Sequence, residues 1–218
     1  MSEMRTEEEQ VEALKGWWKE NGRSLLLGVA LALAIVFGWN GWQNNQRVNA
    51  ENAATVYQSL VQAVALASGP QSTDVQRTTA THLAKSLKED YADTAYAHFG
   101  ALFAARLSVD AGDYAAALNE LDWILVQSQD SVMKTVATMR KARVMAAMGD
   151  AADAVSLLNG LQEPSFSVSL AELKGDLYLQ QGEIDKARNA YQSAAADAPQ
   201  GARPLLNIKL ESLAAEGS

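Results

Sequence analysis

The chain contains no cysteine and only two histidines, His82 and His98. The absence of cysteine excludes disulfide bonds, thiolate metal sites, thiol catalysis and a lipoprotein anchor on cysteine. Two isolated histidines on helical patterns are more often packing or surface residues than ligands, so we expect no metal and no cofactor. Prolines number four, β-branched residues rarely cluster and alanine is abundant. This composition leaves little room for a sheet and predicts an all-α fold.

Charged residues are missing altogether from residues 24–46. Within residues 24–42, the polar members are Ser24 and Asn40. A helix needs about 20 apolar residues to cross a hydrocarbon core of about 30 Å. Trp18 and Trp39 are 39 − 18 = 21 residues apart, which is roughly 31 Å of helix, so an indole lies at each membrane interface. We therefore predict a transmembrane helix over residues 24–42.

Basic residues flank this segment unequally. Arg5, Lys15, Lys19 and Arg23 precede it, whereas Arg47 is the one basic residue close behind it. Since the Lys/Arg bias sets topology, we expect the N-terminus in the cytoplasm and the following domain outside it. In a bacterium this places the protein in the inner membrane with a periplasmic domain. The predicted organisation is a cytoplasmic tail (1–23), the transmembrane helix (24–42), a linker (43–50) and a periplasmic domain (51–218).

Two other interpretations of the apolar segment are a buried core helix and a cleaved signal peptide. A core helix does not explain tryptophans at this separation. Ala32-Leu33-Ala34 resembles a small-residue cleavage site, but the apolar run continues through residues 35–37. The residues before the run include six glutamates, unlike a short basic n-region. A membrane span is therefore favoured, and a soluble exported adaptor is the alternative that cleavage would produce.

The region after the apolar segment repeats itself. Three turns led by glycine, at Gly112, Gly149 and Gly182, are 149 − 112 = 37 and 182 − 149 = 33 residues apart. These spacings are close to the tetratricopeptide period of about 34 residues. Glycine permits the backbone conformation that ends a helix. An alanine follows five residues later and a large apolar residue four residues after that; the pairs are Ala117 and Leu121, Ala154 and Leu158, and Ala187 and Tyr191.

The third repeat carries the fullest signature, Gly175-x2-Tyr178, Ala187-x3-Tyr191 and Pro199. This matches the tetratricopeptide pattern G-x2-Y…A-x3-F…P with tyrosine in place of phenylalanine. The pattern predicts a tetratricopeptide-like helical-repeat solenoid after the transmembrane helix.

Further helices are predicted on both sides of the repeats. Residues 51–68 form the first, with Val56, Leu60 and Val64 on one face, and residues 74–90 form the second, with Val75, Leu83 and Leu87 on one face. Thr73 and Gln76 resemble a capping box. A last helix begins at Pro204 and covers the end of the stack with Leu205, Ile208 and Leu213.

The chemistry of the domain indicates binding rather than catalysis. No plausible nucleophile triad, phosphate-binding loop or metal motif occurs, so the chain is not expected to be an enzyme. Residues 47–218 contain 14 basic and 20 acidic side chains, a net charge of 14 − 20 = −6. No Lys/Arg cluster stands out in this region, so we expect no binding to nucleic acid or to an anionic lipid surface.

Two surfaces are candidates for partner contact. Tetratricopeptide domains hold a partner segment on the concave face made by the first helix of each repeat. Helical phase assigns nine residues to that face: Phe99, Leu102, Arg106, Val136, Met139, Arg143, Ser169, Glu172 and Asp176. Some of these residues are equally well explained as ordinary packing between repeats. In the transmembrane helix, Ala30, Ala34 and Gly38 form a strip of small residues on which a second helix could pack closely.

The whole chain resembles the YfgM-like proteins of Gram-negative bacteria, ancillary subunits of the Sec translocon. The acidic tail with Trp17-Trp18 and the single span carry the resemblance, together with three segments: YADTAYA at 91–97, LKGD at 173–176 and PLLNIKL at 204–210. The resemblance implies an inner-membrane protein whose periplasmic domain associates with the SecYEG channel and the membrane-anchored chaperone PpiD. It also implies help for newly exported polypeptides, and it offers no catalytic residues.

An alternative function is a membrane-tethered scaffold for envelope or cell-division assembly without a chaperone role. Copurification distinguishes the two hypotheses, since translocon subunits accompany the protein under the first one alone.

Overall fold

The computed structural model describes residues 7–69, 71–199 and 202–216, and within them it contains helices and turns but no strand. The contacts divide the chain into one unit that ends at Glu51 and a second that begins at Asn52. Residues 1–6 of the predicted tail and residues 70, 200, 201, 217 and 218 of the predicted periplasmic domain lie outside the described residues.

Helix α1 (Glu7–Ala67) contains the apolar segment. Among the described residues, it is the one helix long and apolar enough to cross a membrane, and no part of its most apolar stretch is buried. The large apolar side chains from Leu25 to Trp42 are exposed, as lipid contact requires. Residues 43–50, which the sequence analysis assigns to a linker, are helical.

The second unit consists of the end of α1 and eight further α-helices in the described part of the chain. Their bounds are α2 (Asp74–Asp90), α3 (Ala95–Asp110), α4 (Tyr114–Gln127), α5 (Ser131–Ala147), α6 (Ala151–Asn159), α7 (Ser167–Gln180), α8 (Ile184–Asp197) and α9 (Pro204–Glu216). A single 3-10 turn at Pro164–Phe166 leads into α7. Consecutive helices pack against each other from α2 to α9, and α5 also contacts both α3 and α7. The predicted all-α repeat array is confirmed.

The three glycine turns have the same hydrogen-bonded geometry. Gly112, Gly149 and Gly182 have φ values of 77°, 101° and 76°, a conformation that side chains with a Cβ rarely adopt. In each turn, the amide after the glycine donates to the carbonyl five residues back, at 2.8–2.9 Å. The glycine amide itself donates to the carbonyl three residues back, at 2.9–3.0 Å. These are Schellman-type helix ends, and they reverse the chain after α3, α5 and α7.

The predicted packing residues of the second helices are all buried. Ala117, Ala154 and Ala187 have no exposed surface, and neither have Leu121, Leu158 and Tyr191. In the third repeat, the ring of Tyr191 lies directly over Gly175. A Cβ placed on Gly175 would lie 2.4 Å from two ring carbons, so glycine is the one residue that admits this ring.

Helix α2 has the predicted bounds and α1 ends at Ala67, one residue before the predicted end, but α1 has no break before residue 51, and the predicted face of α2 is partly wrong. Thr73 and Gln76 form the predicted capping box: the Gln76 amide donates to Thr73 Oγ1 at 3.3 Å, and the Thr73 amide donates to Gln76 Oε1 at 2.8 Å. Leu60 and Val64 are buried as expected. Val75, however, is 75% exposed. Helix α2 buries Leu87 as expected, together with Ala80 and Ala84, and Leu83 is partly buried.

The predicted face of the last helix is also partly wrong. Leu213 is buried as expected, but Leu205 and Ile208 are 68% and 59% exposed. Helix α9 buries Leu206 in their place, packed in one cluster with Tyr191 and Ala194. The buried face is rotated because α9 packs against α8 and places Leu206 and Leu213 in one cluster with Tyr191.

Because the ring of Tyr191 lies directly over Gly175, we expect a larger residue at position 175 to destabilise the domain. Gly175→Ala should lower the free energy of unfolding by about 2–3 kcal/mol, because the added methyl group overpacks a buried ring. Gly160→Ala is the matched control: its φ is −76° and its Cβ would lie 3.6 Å from the nearest atom. That change should be neutral or slightly stabilising. Urea unfolding of the detergent-solubilised proteins, followed by circular dichroism, measures both; equal stabilities would refute the contact.

Candidate partner groove

The first helices of the three repeats, α3, α5 and α7, lie side by side and enclose two neighbouring grooves. The first groove, between α3 and α5, has a volume of about 400 Å³. It is lined by Leu102, Ala105, Arg106, Val109, Leu121, Arg140, Arg143, Val144 and Ala147. The second groove, between α5 and α7, has a volume of about 310 Å³. It is lined by Val136, Met139, Arg140, Arg143, Phe166, Ser169, Glu172, Leu173, Asp176 and Arg203.

Eight of the nine residues predicted for the concave face line one of these grooves. Leu102 and Arg106 line the first, and Arg143 lines both. The second groove contains Val136, Met139, Ser169, Glu172 and Asp176. Phe99 lines neither; it is 38% exposed and lies beside Tyr57, with ring centroids 5.8 Å apart. The geometry therefore brings the predicted residues onto one face, while their role in binding stays a prediction.

The apolar members of this set differ in exposure. Leu102 and Met139 are 7% and 5% exposed, so they form the floor of the grooves and also pack between repeats. Arg106 and Arg143 are exposed at the rim. A partner segment would therefore meet guanidinium groups first and apolar surface beneath them.

The acidic end of the second groove is closed by basic side chains from the C-terminal region. Arg203 donates to Glu172 at 2.8 Å and to Ser169 at 2.7 Å. Lys209, on α9, donates to Glu172 at 3.0 Å and to Asp176 at 2.6 Å. Three of the predicted groove residues thus already have partners within the chain.

Tyr191 completes this network from beneath. Its hydroxyl donates to Asp176 at 2.7 Å. Burial raises the pKa of Tyr191, and the neighbouring Asp176 and Glu172 raise it further. Burial alone would lower the pKa of Lys209, but its hydrogen bonds to Asp176 and Glu172 outweigh that effect and raise it. We call Glu172, Asp176, Tyr191, Arg203 and Lys209 the α9 network.

Two charged residues of the grooves were not predicted from the sequence. Arg140 lines both grooves, and Arg203 bonds to the acidic wall of the second. The segment Arg140-Lys141-Ala142-Arg143 was the available signal for Arg140. The expectation that no basic cluster occurs in residues 47–218 is wrong for the folded chain, because α3 and α5 bring Arg106, Arg140 and Arg143 to one groove. Arg203 gave no local signal, since its partners are 31 and 34 residues away.

The electrostatics of these arginines are unusual. Arg140 remains in contact with solvent, yet desolvation of its guanidinium lowers its pKa, and Arg143 and Arg106 lower it further. Arg106 contacts Asp110 at 3.7 Å on the exposed surface. Within residues 7–69, 71–199 and 202–216, neither Arg140 nor Arg143 has an ion-pair or hydrogen-bond partner.

The strip of small residues in α1 is exposed. Ala30, Ala34 and Gly38 are spaced four residues apart on the helix, and all three are exposed. A Cβ on Gly38 would meet nothing within 4 Å. Across the described residues, no group of three His, Cys, Asp or Glu side chains is placed to hold a metal ion.

Comparisons with known proteins agree with this architecture. A family model described as tetratricopeptide repeat-like domain matches residues 15–215. Relatives from several bacteria carry the name ancillary SecYEG translocon subunit. The one from Neisseria gonorrhoeae is 30% identical, covering 95% of this chain and 97% of its own. That from Haemophilus influenzae is 28% identical, with coverage of 95% and 97%, and that from Escherichia coli is 28% identical, with 95% and 96%. No solved structure matches the chain.

The α9 network predicts a loss of stability in alkali. A group whose pKa is higher in the folded than in the unfolded state contributes its full stabilisation below the unfolded pKa. That stabilisation is lost as the pH rises from the unfolded pKa through the folded pKa. The ordinary pKa values are 10.0 for Tyr191 and 10.5 for Lys209, so the free energy of unfolding should fall above about pH 10.

The matched variants are Lys209→Gln and Lys85→Gln. Lys209→Gln should flatten the alkaline part of the stability curve, whereas Lys85→Gln, an exposed lysine of α2 paired with Glu89, should leave it unchanged. Urea unfolding at a series of pH values measures the slopes; the same slope in both variants would contradict the network.

Proposed function

The chain, with its tetratricopeptide repeat-like domain, belongs to the YfgM-like family of ancillary SecYEG translocon subunits, and on that premise we propose a protein-binding role divided between its two units. The apolar helix anchors the protein beside the translocon in the inner membrane. The repeat domain lies in the periplasm and binds the chaperone PpiD and exported polypeptides. The protein acts as a binding subunit and not as an enzyme.

The observation that carries this proposal is the pair of grooves along α3, α5 and α7. Each combines an apolar floor with polar or charged rims, and protein interfaces draw most of their energy from a few apolar and arginine anchors of this kind. The exposed aromatic Phe99 extends the same face on α3. A partner segment that lies along the three helices would contact every one of these features.

The membrane unit supports a separate attachment. Helix α1 exposes Ala30, Ala34 and Gly38 at intervals of four residues, which permits close packing of a second transmembrane helix. The periplasmic position of the domain rests on the basic bias, four residues before the span against one soon after it.

The topology is tested by reporter fusions and protease access. Alkaline phosphatase fused after residue 60 should be active, because that enzyme requires the periplasm. Protease added to intact spheroplasts should digest the repeat domain. If the domain resists protease until the cells are lysed, the orientation is opposite to the one proposed.

The division of labour is tested by two complementary changes. Arg106→Glu with Arg143→Glu should reduce PpiD capture at least about tenfold, because both charges at the groove rim reverse, while SecYEG still copurifies. Replacing residues 24–42 with an unrelated span should reduce SecYEG copurification and spare PpiD capture.

The control variant is Arg77→Glu with Lys85→Glu, which makes the same change in net charge on the exposed surface of α2. Circular dichroism should show equal helical content in all the variants. If the groove variant retains wild-type capture, the groove is not the partner site. If SecYEG is absent from every preparation, the scaffold hypothesis without a translocon role gains support.

A further inference from the structure

Three arginine side chains line the first groove, and two of them, Arg140 and Arg143, have no acidic partner among the described residues. Arg106 extends from α3, and Arg140 and Arg143 extend from consecutive turns of α5. Arg106 forms an ion pair with Asp110 at 3.7 Å. Both side chains are exposed, and exposed ion pairs contribute little to stability. The domain as a whole carries net negative charge, so this concentration of positive charge is local.

The nearest acidic wall does not neutralise these arginines. Glu172 and Asp176 line the second groove together with Arg140 and Arg143. Their carboxylates, however, accept hydrogen bonds from Arg203, Lys209 and Tyr191 at 2.6–3.0 Å. The α9 network therefore holds the acids at one end and leaves the arginines available to a ligand.

The floor beneath the arginines is apolar. Leu102, Ala105, Leu121, Val144 and Ala147 line it, so a bound segment can bury an apolar side chain there. On α3, Phe99 lies 106 − 99 = 7 residues before Arg106, roughly 10.5 Å along the helix axis. An extended peptide covers that distance in about three residues at ~3.3 Å each.

We propose that the first groove binds an extended acidic segment of a partner protein. Aspartate or glutamate side chains of the segment pair with Arg106, Arg140 and Arg143, and an apolar side chain about three positions away packs near Phe99. This inference rests on the proposed partner groove and specifies the chemistry of what it holds. Carboxylates are the complementary ligand because the planar guanidinium presents paired donors to them.

The experiment compares two fluorescein-labelled peptides, GSFSSEDGSG and GSFSSQNGSG, which differ in two carboxylates alone. Fluorescence anisotropy measures their binding to the full-length protein in phosphatidylcholine nanodiscs. At about 50 mM salt, the acidic peptide should bind about tenfold more tightly than the amide peptide. The preference should shrink strongly at about 500 mM salt, because exposed charges are then screened.

Variants then assign the preference to the groove. Arg140→Gln with Arg143→Gln should abolish it, and the control Arg77→Gln with Lys85→Gln should retain it. Equal affinity for the two peptides, no binding of either peptide, or a preference that survives the arginine double change would each overturn the proposal. Competition by phosphatidylglycerol vesicles that displaces the acidic peptide would identify a lipid surface as the ligand instead, and would also overturn it.

PpiD capture by the same variants separates this inference from the proposed function. If the arginine double change abolishes capture but the peptides show no acid preference, the groove is the partner site and the acidic chemistry is wrong. If the peptides show an arginine-dependent preference while capture is unaffected, the groove binds acids but PpiD binds elsewhere.

Discussion

The close approach of paired helices at three buried alanines is the contact on which the rest of the repeat domain depends. Ala117, Ala154 and Ala187 have no exposed surface, and a larger side chain at any of them would push the second helix of its pair away from the first. The Schellman-type turns at the three glycines fix where each second helix starts. Because the same unit recurs, corresponding residues of α3, α5 and α7 fall on one face, and the grooves follow from that repetition.

Local chemistry made much of this predictable. A glycine with positive φ, a capping box and an alanine at fixed spacing all act within one helix pair, so their signals survive in the sequence alone. The faces of α2 and α9 were harder, because Val75, Leu205 and Ile208 are apolar and correctly spaced for burial. Which face of a terminal helix is buried depends on its neighbour, and the neighbour is not encoded in the helix itself. The failure lies in packing and not in secondary structure.

The groove shows the same limit at a larger scale. Arg106, Arg143 and Asp176 each lie six residues before a turn glycine, as 112 − 106, 149 − 143 and 182 − 176 show, so the repeat spacing alone predicts that they share a face. Arg140 does not occupy this repeat position. It lines the grooves because it lies one turn before Arg143 on the exposed face of α5, between α3 and α7. Arg203 precedes α9 and reaches α7 from outside the repeats, where no periodicity applies.

The position six residues before the turn glycine is arginine in the first two repeats and aspartate in the third. This difference explains why the C-terminal helix affects the groove. The first two repeats place arginine at this position and the third places Asp176, so an extended groove without α9 would contain both signs side by side. Arg203 and Lys209 form ion pairs with Glu172 and Asp176. The hydroxyl of the buried Tyr191 donates a hydrogen bond to Asp176. Helix α9 therefore does more than cover the apolar end of the stack. Because Arg203 and Lys209 pair with the acids of the third repeat, the charged groove residues left without a partner, Arg140 and Arg143, are both positive.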